Sequence, residues 1–182
     1  MRTLHERGAT LNRPGPGLGT TALERLFHEH HGVVFRAAYR VTGNASDSED
    51  ALQTVFVRLA ARPNLPAITP AYLARAGVNA GLDLMRSRSV RGDAGPPEDL
   101  DRLLAGPDAH PESRRETREV RGRLRLALAG LSPKLAEIFC LRHLEGLPNR
   151  EIAIVVGMSA ASVAVQLFRA RARLRAALRP EV

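Results

Sequence analysis

The chain has few of the residues that stabilise secreted or membrane proteins. Among its 182 residues there is one cysteine, Cys140, there is no tryptophan, and only 4% are aromatic. A single cysteine excludes an internal disulfide framework and a multi-cysteine zinc site, and it is typical of a reducing cytoplasm. No apolar run approaches the ~18–20 residues of a membrane span, and residues 1–20 lack the apolar core of a secretory signal. We therefore expect a cytoplasmic protein without membrane insertion.

With so few aromatic residues, the core must be built from Leu, Val and Ala, which favours helices. Apolar residues recur at three- and four-residue steps, and no stretch alternates as a strand would. We predict an all-α fold of two small helical domains joined by a flexible linker. The predicted parts are a disordered extension at 1–20, a first domain at 21–89, an acidic Pro/Gly-rich linker at 90–111 and a second domain at 112–182.

The net charge of +8 is unevenly distributed along the chain. Residues 90–110 carry two Arg and five acidic groups, whereas residues 111–182 carry fourteen basic and seven acidic groups. A basic block of this kind indicates a polyanionic partner, which is a nucleic acid in the first place and an anionic membrane surface in the second.

Residues 149–178 have the pattern of a helix-turn-helix. A short helical stretch is followed by Gly157, by Ser159 as an N-cap and by a longer amphipathic helix, the kind of helix that enters the DNA major groove in this motif. The alternative is an antiparallel helix pair with a solvated basic face. A mismatched base pair costs only ~1–3 kcal/mol, so one such motif needs a dimer partner, a second DNA-binding module or a larger assembly to select a genomic site.

The polar residues of the first domain have structural explanations. Gly43-Asn44 is a helix stop, and Ser46 with Glu49 forms a predicted capping box for the second helix. Carboxylates in a first helical turn are typical of capping rather than of a metal site. His28, His30 and His31 have no acidic residue or cysteine at the spacing that a metal site requires. In the second domain, Cys140 lies in an apolar helical run. We therefore predict no metal, no cofactor and no catalytic residue.

Segments of both domains resemble the extracytoplasmic-function (ECF) class of bacterial sigma factors. Tyr39–Gly43 and Asp47–Leu59 are similar to that family's core-polymerase-binding helix. Tyr72, Asn79, Asp83 and Arg86 match the helix that engages the −10 element. Residues 131–146, 151–163 and 169–174 resemble the −35-binding domain. The C-terminal motif alone also resembles LuxR-type regulators.

The resemblance implies a sigma factor that binds core RNA polymerase at the β′ clamp helices and the β flap, and recognises promoter DNA at the −35 and −10 elements. It also implies an anti-sigma factor as a possible partner, and it implies no cofactor. The alternative is a dimeric LuxR-like helix-turn-helix regulator that binds DNA without being a polymerase subunit.

The resemblance also assigns residues to each contact. The residues implied in core-polymerase binding, on a face expected to be exposed, are Asp47, Glu49, Asp50, Gln53 and Thr54. Those implied in −10 binding are Arg62, Asn64, Tyr72, Arg75, Asn79, Asp83, Arg86 and Arg88. Those implied in −35 binding are Arg150, Ser159, Ala161, Ser162, Gln166, Arg169, Arg171 and Arg173.

Two departures from the family pattern modify these expectations. Tyr72 stands where many relatives have Trp, which gives less aromatic surface for promoter melting. Ala164, Val165 and Gln166 stand where relatives often have Lys or Arg. Gln166 can pair with adenine, but Ala and Val can only touch a thymine methyl group. We therefore expect −35 recognition to depend on phosphate contacts and DNA shape.

Overall fold

The computed structural model describes residues 20–62, 68–92 and 111–179. Within these ranges the chain forms seven α-helices and no strand, which confirms the all-α prediction there. The helices are α1 Thr20–Thr42, α2 Ala45–Ala60, α3 Pro70–Arg91, α4 Pro111–Ala129, α5 Pro133–His143, α6 Asn149–Val156 and α7 Ala160–Ala177. The predicted extension, except for Thr20, and residues 93–110 of the predicted linker lie outside the described residues, so the domain boundaries stay predictions.

The turn between α1 and α2 is capped by a different residue from the one predicted. Gly43 adopts a left-handed conformation with φ of +66°, and Asn44 follows as the N-cap of α2. The Asn44 side-chain oxygen accepts a hydrogen bond from the backbone N–H of Asp47 at 2.9 Å. Ser46 lies inside the helix, so the predicted capping box is wrong. An Asn two residues earlier satisfies the same unpaired N–H groups.

The first three helices pack around a small apolar core. Gly77 on α3 lies directly against α1, where an added Cβ would be 2.6 Å from the backbone oxygen of Val34. This contact lets the two helix backbones approach closely. The buried residues of this core are Val34, Ala38, Ala51, Val55, Phe56, Leu59, Leu73 and Ala80.

A second apolar core joins the two halves of the chain. Ala37 and Val41 of α1 and Ala74, Val78 and Leu82 of α3 belong to the same buried cluster as residues of α4, α5, α6 and α7. The two helical halves predicted from the sequence therefore pack directly against each other in this structure.

Helical periodicity in the sequence would place Val120 and Leu178 on inward faces, but both residues lie outside this core. Val120 on α4 is 55% exposed, and Leu178 lies just past the end of α7 and is also exposed. The described α4 residues that belong to the second core or pack against it are Leu124, Ala127 and Leu128.

Candidate nucleic-acid interface

The polar side chains at the start of α2 separate into exposed and buried groups. Glu49, Asp50 and Gln53 are exposed, and Thr54 is half-buried. Asp47 is only 6% exposed and forms an ion pair with Arg88 of α3 at 2.8 Å. The expectation that Asp47 lies on an exposed face is therefore wrong. Its carboxylate is stabilised by Arg88 and by the positive end of the α2 dipole.

A cavity of about 220 Å³ lies between the end of α2 and the start of α3. An Arg62 guanidinium N–H donates to the Tyr72 hydroxyl at 3.4 Å across this cavity. The structure thus brings several predicted −10 residues together, whereas Asn64 lies outside the described residues. The cavity also contacts Arg58, which the sequence reasoning missed. Its lining residues are Val55, Arg58, Leu59, Arg62, Tyr72, Arg75, Ala76 and Asn79.

Most of the predicted −10 residues of α3 share one helix face. At 100° per residue, positions 72, 75, 79, 83 and 86 fall within one sector, because their spacings are three or four residues. Arg86 lies 3.6 Å from Asp83 on this face. Arg88 is two residues further along and points to the opposite side, where it meets Asp47. The structure therefore does not bring Arg88 together with the other −10 residues.

A buried carboxylate contacts this same face from the C-terminal half. Glu137 of α5 is 5% exposed, and its Oε1 accepts from Arg75 Nε at 2.6 Å and from Asn79 Nδ2 at 3.0 Å. Its Oε2 accepts from Lys134 Nζ at 3.0 Å. Arg75 also donates to the backbone oxygen of Val155 on α6. A carboxylate within an apolar interior requires such partners, because an unpaired buried charge is very costly.

The environment of Glu137 holds its side chain in the charged form. Burial alone would raise the pKa of Glu137, but the hydrogen bonds from Arg75, Asn79 and Lys134 and the charge of Arg75 outweigh it. The pKa therefore lies below its ordinary value. The sequence reasoning missed Glu137. The available signal was an acidic residue beside Leu135 and Ile138 in an otherwise apolar helical run, which requires a partner elsewhere in the fold.

The C-terminal helices form a helix-turn-helix. The axes of α6 and α7 differ by 101°, within the range typical of this motif. Gly157 adopts a left-handed conformation with φ of +69°, and Ser159 caps α7 by accepting from the Ser162 backbone N–H at 3.0 Å. The predicted motif and its N-capping serine are confirmed.

The outer surface of α7 combines basic and apolar residues. Val163, Leu167, Ala170 and Leu174 are buried, which leaves Arg169, Arg171 and Arg173 exposed around the rest of the helix. Of the other predicted −35 residues, Ala161 and Arg150 are exposed, and Ser162 and Gln166 are half-buried. Phe168 is 73% exposed and was missed by the sequence reasoning, although it lies one turn from Val165 on the outward face.

Arg171 has a neighbour within the protein. Its Nε donates to His143 Nε2 at 3.4 Å, which requires the ring nitrogen to be unprotonated. Burial and then the charges of Arg171 and Arg142 lower the pKa of His143. A neutral His143 therefore accepts a hydrogen bond from Arg171 without repelling it.

The cysteine and the metal-ligating residue types of the described ranges form no metal-binding cluster. Cys140 is completely buried, and burial together with the charge of Glu145 raises the pKa of its thiol to about 12, so it belongs to the core as predicted. In the described ranges no three His, Cys, Asp or Glu residues are arranged to hold a metal ion. No single described helix is long and apolar enough to cross a membrane, and only the bent pair of α6 and α7 passes by length and composition.

Comparisons with known proteins match both halves of the chain. Residues 26–91 match the family described as Sigma-70 region 2, and residues 121–174 match Sigma-70, region 4. The ECF RNA polymerase sigma factor SigE of Mycolicibacterium smegmatis is 31% identical over 170 residues, which cover 92% of this chain and 65% of that protein. The RNA polymerase sigma-E factor of Streptomyces avermitilis is 33% identical over 155 residues, covering 84% and 82%.

A solved sigma factor structure also aligns with most of this chain. The structure of the sigma factor CnrH in complex with the cytosolic domain of CnrY aligns with a TM-score of 0.50 and 25% identity, covering 88% of this chain and 90% of that chain. A DNA-binding helix-turn-helix that follows a region 2 domain defines a sigma-70-type transcription initiation factor. The chain belongs to the ECF family of RNA polymerase sigma factors. The alternative of a LuxR-like regulator is not favoured, because the region 2 match covers the first half.

Proposed function

We propose that this protein binds core RNA polymerase in the cytoplasm, directs it to promoters through −35 and −10 contacts and begins strand separation. The observation that supports this most is the pairing, in one chain, of a helix-turn-helix with an arginine-rimmed cavity between α2 and α3. In this proposal the chain performs no chemical reaction itself, and the polymerase supplies the catalysis.

Two surfaces fit the polymerase contacts. The exposed side chains of Glu49, Asp50 and Gln53 on α2 form the proposed contact with the β′ clamp helices. In the C-terminal half, an apolar groove of about 430 Å³ is a candidate for the β flap. It is lined by Leu124, Phe139, Arg171, Leu174, Arg175, Leu178 and Arg179.

Two other surfaces fit promoter DNA. The exposed arginines of α7 supply phosphate contacts, and Gln166 can form two hydrogen bonds with an adenine edge. In the α2–α3 cavity, Tyr72 offers a ring against which an unpaired base can stack, a contact worth ~1–3 kcal/mol. Unpairing a base costs a few kcal/mol, so this stacking offsets part of the cost of strand separation.

An anti-sigma protein is a further proposed partner. CnrH, whose structure this chain resembles, was solved with the cytosolic domain of CnrY bound. The resemblance supports a comparable protein that binds this chain and prevents its assembly with polymerase.

The experiment that tests the proposed function is run-off transcription. Purified bacterial core polymerase is mixed with the full chain and with genomic fragments that include the DNA upstream of its own gene. We expect discrete transcripts that require the chain. Failure of the chain to copurify with core polymerase, or tight binding to a palindromic duplex without polymerase, would contradict the proposal.

A further inference from the structure

A histidine and an arginine form an exposed pair beside the helix-turn-helix. His143 is the last residue of α5, Arg171 lies on α7, and the Arg171 Nε donates to the His143 Nε2 at 3.4 Å. Both side chains are exposed. No carboxylate of the described ranges forms an ion pair with either of them. Two groups that can both carry a positive charge therefore lie side by side with no acidic partner in that part of the chain.

The fold holds this pair in place. The His143 ring packs on Phe139, one turn earlier in α5, with the ring centroids 4.5 Å apart, and Phe139 packs against the second core. Arg171 is carried by α7, whose opposite face is buried in the same core. Two helices fixed to one core therefore set the distance between these side chains.

The hydrogen bond within the pair leaves both groups able to bind an anion. At 3.4 Å it is longer than the ~2.7–3.2 Å of an ordinary bond from an N–H donor. It uses one N–H of Arg171 and leaves the remaining guanidinium N–H groups for a second acceptor. Bonds from a charged donor to a phosphate oxygen are shorter and stronger than bonds to a neutral acceptor. A phosphate oxygen is therefore a better acceptor for Arg171 than the imidazole nitrogen.

The charge of His143 depends on its neighbours. Burial and the charges that face it, Arg171 from α7 and Arg142 from α5, lower the pKa of His143. A phosphate between His143 and Arg171 has the opposite effect, because an adjacent anion favours the charged imidazolium. Two ligands that share a site change each other's affinity by the same factor, so proton uptake by His143 strengthens phosphate binding.

The position of the pair on α7 fits the backbone of duplex DNA. Arg169 and Arg171 are both exposed, and at two residues apart they lie about 200° from each other around the helix axis. They therefore point to opposite sides of α7. A recognition helix in the major groove has a sugar-phosphate strand on each side. Arg171, with His143 next to it, is placed for the strand on the α5 side, and Arg169 for the other.

We propose that His143 and Arg171 form a proton-linked binding site for a backbone phosphate of duplex DNA. A phosphate oxygen replaces His143 as the acceptor for Arg171, and His143 takes up a proton and donates from Nε2 to the same phosphate. DNA binding then consumes up to one proton, and the affinity rises as the pH falls from about 8 to about 5.5, the range in which histidine titrates. This inference rests on the proposed function, because it assigns α7 to promoter DNA.

The test measures binding of the full chain to a fluorescein-labelled, mixed-sequence DNA duplex by anisotropy, at constant ionic strength and at several pH values. A mixed sequence suffices, because phosphate contacts carry no sequence information. We expect the wild type to bind about five- to tenfold more tightly at about pH 5.5 than at about pH 8. By linkage, a phosphate that raises the proton affinity of His143 about tenfold gains up to the same factor in its own affinity. His143→Gln, which cannot take up the proton, should lose most of this gain.

Two further variants separate this site from the overall charge of the chain. His28→Gln is the matched control, because His28 is an exposed histidine of α1 and its substitution removes the same titrating group. It should keep the wild-type pH profile. His143→Arg carries a fixed charge, so it should bind more tightly than wild type at about pH 8 and show little further gain in acid. If His143→Gln does not fold by circular dichroism, His143→Arg replaces it.

A wild-type pH profile in folded His143→Gln, or in His143→Arg where the first variant is unfolded, would overturn the inference. An equal loss of the gain in His28→Gln would also overturn it, because the effect would then follow total charge. A gain seen in binding to core polymerase but not to duplex DNA would do the same, since it would assign the pair to a protein partner. The proposed function fails on a different readout, which is the absence of transcripts from wild-type chain with core polymerase. The two failures are therefore distinguishable.

Discussion

At the scale of single residues, the charged side chains divide by their partners. Asp47 and Glu137 are buried and paired with arginines of α3, so they stabilise the fold and the contact between halves. Glu49 and Asp50 lie close to Asp47 in sequence but are exposed. An exposed charge contributes little to stability and is available to a partner. Within this acidic motif Asp47 therefore serves the structure, whereas Glu49 and Asp50 belong to the proposed polymerase contact.

Asp50→Arg tests the binding part of this motif. The change reverses an exposed charge on the proposed polymerase-binding face, so core polymerase association should be lost while helicity is unchanged. Pull-down with purified core polymerase measures the first quantity, and circular dichroism the second.

Two further variants define the specificity of that result. Glu24→Arg reverses an exposed charge on α1 and should assemble normally. Asp47→Ala should lower the thermal stability instead, because it leaves Arg88 without its carboxylate. Normal holoenzyme assembly by Asp50→Arg would count against α2 as the docking surface.

At the scale of helices, close packing of α3 on α1 positions the proposed −10 face. Gly77 permits the approach, since any side chain there would meet the backbone of Val34. The opposite face of α3, which carries Tyr72 and Asp83, is then directed away from α1. A change at Gly77 therefore acts on the fold and through it on the site.

Gly77→Ala should destabilise the protein by about 1–3 kcal/mol through overpacking. Gly122→Ala is the matched control, because an added Cβ at that helical position meets nothing within 4 Å. There the change should stabilise by about 0.4–1 kcal/mol, since alanine has fewer unfolded conformations than glycine. Urea denaturation measures both values, and equal effects at the two positions would show that the α1–α3 contact is not tight.

In our proposal α7 binds duplex promoter DNA chiefly through the charge of its arginines. Arg169→Ala and Arg171→Ala should each weaken binding of the holoenzyme to all duplex sequences. Each should also reduce the slope of log affinity against log salt by about 0.9, the value for one lost phosphate contact. Titrations at several salt concentrations measure the slope, and Arg25→Ala on α1 is the control. Unchanged slopes would contradict phosphate contacts by these residues.

At the scale of the whole molecule, the two halves share a core and a buried ion pair. The pKa of Glu137 is lowered in the folded protein, so its contribution to stability is present above its ordinary value of 4.5 and is lost as pH falls through the folded value. The groups that face it are Arg75 and Asn79 from α3 and Lys134 from α5.

The contact between the halves should therefore weaken in acid. The difference in free energy of unfolding between wild type and Glu137→Gln should be constant from about pH 8 to 5 and should shrink towards pH 3. Denaturant titrations across this range measure it, with Glu151→Gln as the control. A difference that does not change with pH would show that the charge of Glu137 is not what stabilises the contact.

The helices and the helix-turn-helix were predictable because they depend on local signals. The periodicity of Val163, Leu167 and Leu174 predicts the buried face of α7, and Gly157 with Ser159 predicts its turn and cap. Asn44 was missed as the cap of α2 because Ser46 is an equally suitable residue nearby. Glu137 was missed as a site residue because its partners are about 60 positions away in the sequence.

The sequence alone determined the helices, their order and the family, since these depend on spacings within a few residues and on motifs. Tertiary structure alone decided which carboxylates are buried, which face of α3 is occupied and whether the halves touch. Those properties depend on the sum of many weak contacts between distant segments, and a single ion pair such as Arg75–Glu137 forms only where the backbone brings its partners together.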